Sequence, residues 1–338
     1  MEEKLVSHLE LLQLCMSKLI DAGIPEEHAR TTASVLVHAN LRGVDSHGVM
    51  RMEHYIQKIS QGGIRANPTI ATKPTGAVTA IVDGDDGLGH VIVDQAMKTA
   101  IDIANNQGVG MVSAINSSHC GALSYFVKMA ADNGMIGIAM TNTDKMVVPF
   151  GGSSAYFGTN PMAFGFPAGV NPPIILDMAT SAVAYGKILG ALQAGTQIPS
   201  DWGVDQHGQP VTDPRDFAAL LPFGGAKGYA LGMVVDIFSG ILTGSPYGPH
   251  IAKMHGGDLG EKRKLGHFVC AIDIARFTSG RSFRSNIDQM IGEIHAIPPA
   301  AGFRQVMIPG EPENLKEEHR REHGIPLPIE IYNFLAQR

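Results

Sequence analysis

An α+β fold, in which a helical part stands beside a mixed one, is what the order of elements predicts for this 338-residue chain. Three observations carry that expectation. The first quarter repeats apolar residues at helical spacing. After Pro68 short β-branched runs alternate with helical stretches. The alternation is too irregular for a βαβ series, and helices return at the end. The length suits about two domains, which we place at 1–75 with 297–338 (helical, discontinuous) and 76–296 (α+β).

The elements follow in order. Leu9, Leu12, Met16, Leu19 and Ile20 share a helical stripe that Gly23 stops. Pro25-Glu26-Glu27 opens a second helix, with Pro at its first position and Ala29, Ala33, Leu36 and Val37 on its apolar face. A third is expected from Ser46 to Gly62-Gly63. Residues 77–82 (AVTAIV) read as a strand before an Asp-rich turn. A helix (91–105), a buried strand (109–115), a helix (122–133) and a strand (136–141) come next. Residues 142–167 read as one long Gly/Pro-rich loop, a length that usually marks function. Then come a strand at 174–176, helices at 180–192 and 229–242, a strand at 267–272 and a helix at 283–296. The charge-dense segment 311–323 reads as a solvated face or loop.

Composition excludes several classes. Hydrophobic residues make up 44% and charged residues 17%, and the net charge is −6. That is globular, and it disfavours nucleic-acid or anionic-membrane partners. No apolar run is long enough to span a membrane, and the acidic start does not resemble a signal peptide. Cys15, Cys120 and Cys270 are too few for a disulfide scaffold, so a reducing, cytoplasmic setting is expected.

Five segments could carry chemistry. In Gly43-Val44-Asp45-Ser46-His47-Gly48, Ser46 suits a helix N-cap. His47, Arg51 and Tyr55 follow at spacings of four, one stripe of a helix. Arg51 offers a bidentate hold on a carboxylate, with Ser46 and Tyr55 beside it; a solvated polar face is the competing reading. Ser117-Ser118-His119-Cys120-Gly121 joins a strand to a helix, where small residues leave His119 room to move a proton. A helix-capping His is equally compatible. Cys120 has no base partner in view and reads as packing. Thr141-Asn142-Thr143 with Gly158-Thr159-Asn160, then Asp177-Met178-Ala179-Thr180, then Gly224-Gly225-Ala226-Lys227-Gly228 put glycines, hydroxyls and amides at element ends. Such ends suit phosphate and ribose. Familiar nucleotide and metal patterns fail: Gly87-Leu88-Gly89 has Ile92 where a dinucleotide fingerprint needs its third Gly, Lys227 is followed by Gly228, and there is no HExxH. No metal site is expected.

Taken together and in order, Arg42–Gly48, Ser118–Ala122, Val148–Gly152, Gly158–Pro161, Leu176–Ser181 and Lys227–Tyr229 resemble the type 2 malate/L-lactate dehydrogenase family. Its members act on ureidoglycolate, sulfolactate, diketogulonate and cyclic imino acids. His119–Phe126 and Met146–Gly152 look most like the ureidoglycolate dehydrogenases. Val211 and Ala230 depart from the family's usual Thr and Gly.

The resemblance implies a non-Rossmann cofactor domain with a largely antiparallel sheet, plus a helical domain, in a homodimer or larger assembly. It implies NAD as cofactor, with NADP the alternative. His119 and His47 are then the proton-transfer candidates, and Ser46, Arg51 and Tyr55 bind a small 2-hydroxy or 2-keto acid. Thr143, Thr159, Asn160, Asp177, Met178, Ala179, Lys227, Gly310 and Glu311 line the cofactor. A cyclic-imine or diketogulonate reductase is the alternative enzyme, and a nucleotide-binding protein without turnover the non-enzymatic one.

Overall fold

The computed structural model describes residues 2–254 and 256–337. The chain opens with β1 (Glu3–Val6), α1 (His8–Asp21) and α2 (Glu26–Leu41). Ser7 caps α1 by accepting the Glu10 amide at 3.2 Å. The buried stripe of α1 is Leu11, Cys15, Met16 and Leu19, whereas Leu9 and Ile20 face solvent, so the face is rotated from the expected one. Pro25 is the N-cap of α2, one position earlier than expected.

The helix expected from Ser46 does not form as one piece. Two 3-10 turns, Asp45–His47 and Val49–Arg51, precede α3 (Met52–Ser60). The break has a cause in Asn40, on α2. Its Oδ1 accepts the Val49 amide at 2.8 Å and lies 2.2 Å from where a Cβ on Gly48 would sit. The side chain thus occupies the space of the continuing helix, and only glycine at 48 admits it.

Next come β2 (Ala71–Pro74), β3 (Thr79–Asp83), α4 (Gly89–Gln107), β4 (Val109–Ser117), α5 (Ser124–Asp132), β5 (Met135–Thr141), β6 (Met162–Phe166) and β7 (Ile174–Met178). Then follow α6 (Tyr185–Ala194), β8 (Gly203–Val204), β9 (Ala219–Leu220), α7 (Ala226–Asp236), β10 (Leu265–Asp273) and α8 (Gly280–His295). α9 (Glu311–His323), β11 (Ile325–Pro328) and α10 (Ile329–Ala336) close the order.

Four expectations need correction. β6 lies inside the supposed loop, hidden by the prolines that flank it. α6 starts at Tyr185 rather than Thr180, because Thr180 and Ser181 are held extended by bonds to Thr159 and Val183. α7 starts three residues early and ends in a π turn, Ile237–Ile241. Residues 311–323 form a regular helix. Its buried member is Arg320 while Leu315 is exposed, so apolar periodicity could not reveal it.

The main sheet has the order β2-β3-β4-β10-β5-β6-β7. Only β3 and β4 run parallel; every other neighbouring pair is antiparallel. Register then dictates where the site can be. β4 ends at Ser117 opposite Leu265, the start of β10, while Thr141 at the end of β5 pairs with His267. β6 begins, and β7 ends, at the paired Met162 and Met178. The ends leading to His119, Thr143, Thr159 and Asp177 therefore share one rim of the sheet.

The sheet packs on α4 and α5 through Ile92, Met97, Val112, Phe126, Val127 and Val269. A second apolar cluster joins Leu11, Leu19, Leu36, Met52 and Tyr55 to Ile325, Leu327 and Leu335 from the other end of the chain. β1 pairs with β11 to close it. Burial of each such side chain contributes about 1.5–3 kcal/mol. Among the described residues, no helix is long and apolar enough to cross a membrane.

Candidate active site

His47 and Arg51 sit in the two 3-10 turns, and Tyr55 follows one turn into α3. They are not one helical stripe, yet they converge. Arg51 Nε donates to the Ser46 carbonyl at 2.7 Å, which folds the guanidinium back along the loop. The Ser46 hydroxyl lies 3.0 Å from His47 Nδ1. The His47 and His119 rings are 5.6 Å apart between centroids, and Tyr55 stacks on His119 at 6.1 Å. Tyr55 Oη bonds His119 Nδ1 at 2.7 Å.

His119 arrives from the far side, on the connection between β4 and α5. That connection is fastened by its neighbours. Ser118 Oγ accepts the Gly89 amide and donates to the Gly87 carbonyl, both at 2.9 Å. Ser117 Oγ lies 2.8 Å from His267 Nε2 in the core. Gly121 has φ 78° and places its amide 3.3 Å from His119 Nδ1. Side chains rarely adopt that φ, so a glycine is required there.

The electrostatics suit proton transfer. Burial first, then the positive charges of neighbouring groups, hold His119 well below the usual imidazole range. Burial and Arg51 bring His47 down to about 4. Both rings are therefore neutral at neutral pH, the form that can accept a proton. Burial raises the Tyr55 phenol, so it stays protonated and can donate to His119 Nδ1 or accept from it. When Nδ1–H donates to Tyr55, Nε2 keeps its lone pair; when Tyr55 donates, Nε2 carries the proton.

The other half of the site lies along the rim. Thr159 N donates to Thr143 Oγ1 at 3.0 Å, and Thr143 N donates to Asn160 Oδ1 at 3.2 Å. Asn160 is fully buried, and its amide donates to the Gly232 carbonyl on α7. Its side chain thus fixes Thr143 and α7 in place and does not present a free amide. A Cβ on Gly158 would lie 2.1 Å from Thr143 Oγ1, so the two segments meet backbone to backbone.

Asp177, on β7, accepts the Ser124 amide at 2.7 Å at the start of α5, while the residue stays exposed at the rim. Met178 and Ala179 continue past it. Lys227 is exposed in the first turn of α7, after Gly224 and Gly225, both at positive φ. Gly310 abuts β7, where a Cβ would lie 2.7 Å from the Ile175 carbonyl. Glu311 beside it accepts from the Ile308 amide and pairs with His295, both at 3.0 Å. The Asp177 carboxyl, hydroxyls and a lysine at a helix start form a polar set that fits a nucleotide's ribose and phosphates.

Sequence reasoning missed four residues. Arg263 is buried, donates to Asp144 at 2.5 Å and to the Ala252 carbonyl at 3.0 Å, and its Nη1 has no partner among the described residues. Its charge helps to lower His119. The run Glu261-Lys262-Arg263-Lys264 reads as surface charge, which hid it. His90 is fully buried against Tyr55, with ring centroids 5.1 Å apart, and neither ring nitrogen has a partner among the described residues. Asn40 and Arg320 act on the His47 loop from outside it. Among the described residues there is no group of three or more His, Cys, Asp or Glu side chains able to hold a metal.

Residues 6–336 match the family model described as malate/L-lactate dehydrogenase. The chain is 42% identical to the NAD(+) ureidoglycolate dehydrogenase of Escherichia coli O157:H7, over 98% of this chain and 94% of that protein. It is 39% identical to the malate dehydrogenase of Pyrococcus horikoshii, over 97% and 93%. The crystal structure of sulfolactate dehydrogenase from Methanocaldococcus jannaschii superposes with a TM-score of 0.92 at 37% identity, covering 98% of this chain and 95% of that one. Likeness along the whole chain makes this protein a member of the malate/L-lactate dehydrogenase family.

Proposed function

We propose that this chain is an NAD-dependent 2-hydroxy-acid dehydrogenase, with ureidoglycolate the first substrate to test. One observation carries the reading: a neutral His119, bonded at 2.7 Å to a phenol that can exchange proton roles with it, faces His47 and the Arg51 loop. Arg51 holds the substrate carboxylate through charge-assisted bonds. Ser46 and Tyr55 fix its orientation. His119 takes the hydroxyl proton at Nε2 in the tautomer whose Nδ1–H donates to Tyr55, which gives up the long 3.3 Å bond that Nδ1 otherwise accepts from the Gly121 amide; His47 is the alternative acceptor. NAD, when bound, accepts the hydride. In the reverse direction Nε2–H returns the proton to the 2-keto acid.

Thr143, Thr159, Asp177, Met178, Ala179, Lys227, Gly310 and Glu311 would hold the cofactor, with Asn160 bracing them. In this reading residues 1–75 and 297–338 form a helical domain that carries the carboxylate grip, and 76–296 carry the cofactor. The 42% identical relative named for NAD(+) supports that cofactor over NADP. Val234, Ile237, Ile241 and Leu242 leave an apolar stripe exposed on α7 and the turn after it, which favours a homodimer. Three buried, unbridged cysteines suit the cytoplasm.

The test is nicotinamide absorbance with NAD and NADP, in both directions. The panel is ureidoglycolate, malate, sulfolactate, lactate, their keto acids and a cyclic imine. Turnover of a hydroxy acid with NAD is expected. Activity on the imine alone would replace the dehydrogenase with a reductase, and bound cofactor with no turnover would leave a binding protein.

A further inference from the structure

The Asp45–Arg51 loop carries Ser46, His47 and Arg51, and part of what holds it in place comes from elsewhere in the chain. Arg320, near the end of α9, is 7% exposed and reaches across the sequence to it. Its Nη1 and Nη2 donate to the two carboxylate oxygens of Asp45 at 2.7 and 3.0 Å, a two-pronged grip. Nη1 also donates to the Asn40 carbonyl. Asn40 completes the clasp: its amide donates to Asp45 Oδ1 at 2.6 Å while its Oδ1 accepts the Val49 amide. Gly43, at φ 77°, lies directly under α9, where a Cβ would meet the Lys316 side chain at 3.0 Å.

The other end of the same helix is at the cofactor side. α9 begins at Glu311, with Gly310 as its N-cap packed against Ile175 of β7. Arg42, 4% exposed, ties that end to α2. It donates to Asn314 Oδ1 at 2.6 Å, to Glu317 Oε2 at 3.3 Å and to the Gly310 carbonyl at 3.3 Å. Two buried arginines thus fix one 13-residue helix, about 20 Å long, between the Gly310 segment and the His47 loop. Surface ion pairs contribute little, and the Asp45 side chain is 45% exposed, but the two-pronged grip of the buried Arg320 guanidinium fixes its direction.

We propose that Arg320 is a positioning residue: through α9 it sets the Asp45–Arg51 loop relative to the Gly310–Glu311 end of the cleft, so that substrate and cofactor groups share one strut. The kinetic part of the test rests on the dehydrogenase reading; the exchange part does not. The variants are Arg320→Gln, the milder Arg320→Lys, Asp45→Asn, and the Arg320→Gln/Asp45→Asn double.

Amide exchange by mass spectrometry over residues 44–51 should rise about tenfold in Arg320→Gln while β5 and β10 stay protected. The KM for the hydroxy acid should rise about tenfold, with the NADH Kd changing less than twofold. The double variant should fall clearly short of the sum of the singles, since both remove the shared Arg320–Asp45 grip and differ only in their bonds to Asn40. Arg320→Lys should recover part of the KM. Unchanged exchange in 44–51, or a lowered Tm with normal KM and kcat per folded molecule, would overturn the proposal. Additive single effects would do so as well. If wild type turns over no hydroxy acid but exchange still rises, the functional reading fails and the strut stands.

Discussion

Acidification is the perturbation whose effect the structure fixes most directly. His90 and His267 are fully buried, and burial brings each down to about 3. The charges of His267 and His47 add to the shift at His90, and that of Arg263 to the shift at His267. In the unfolded chain both titrate near ~6.5. Because the folded values are the lower ones, the unfolded chain binds protons that the native one refuses. Stability is therefore full above ~6.5 and is lost as pH falls towards about 3. At pH 5 each histidine has cost the fold about 2 kcal/mol, or about 4 kcal/mol for the pair.

That is a large share of a typical total of about 5–15 kcal/mol. His38 and His47, also lowered, push the same way. The buried carboxyls of Asp94 and Asp236 are raised and oppose the loss. Urea unfolding at pH 7.5 and pH 5.0, of wild type and a His267→Gln variant, isolates the histidine part. The variant should lose about 2 kcal/mol less between the two pH values than wild type does. Equal losses in the two proteins would refute the reasoning.

Other predictions concern the site. Tyr55→Phe removes the bond to His119 Nδ1 without leaving a hole, so kcat/KM should fall about 5- to 150-fold, equivalent to about 1–3 kcal/mol; steady-state rates at wild-type level would exclude the phenol from the chemistry. His119→Ala should lower kcat by about 10²–10⁴-fold, and a larger loss in His47→Ala would transfer the proton acceptor to His47. Gly158→Ala drives a Cβ into Thr143 Oγ1 and, at 2.3 Å, its carbonyl. Fluorescence titration should then show NADH binding weakened at least about tenfold, with stability down about 1–3 kcal/mol; unaltered binding would take Thr143 out of the cofactor's reach.

Much of the fold was legible because its helices carry apolar stripes and its strands carry β-branched runs. The stop glycines at 23 and 62 both take positive φ. What escaped had a polar cause. The Asp45–Arg51 break depends on an Asn40 side chain from the preceding helix, and α9 docks through arginines, so apolar periodicity is silent on both. His47, Arg51, Tyr55 and His119 were visible as residue types, but the His119–Tyr55 bond joins positions 64 apart and only the fold brings them together. Arg263 was invisible for the opposite reason: it sits in a charged run whose other members face water.

The pairing of β1 with β11 has a consequence for the order in which the molecule is made. The sheet needs nothing beyond residue 273 and can close while the ribosome is still at work. The cluster around Leu11 and Tyr55 cannot, because Ile325, Leu327 and Leu335 complete it, and Lys18 reaches a carbonyl 319 residues away. Until then the part of the apolar face of α1 to α3 that these residues cover stays open, the interval in which a chaperone would matter most. Since His47, Arg51 and Tyr55 belong to that late-closing part, a truncated chain would keep a folded rim and still lack its grip on the substrate.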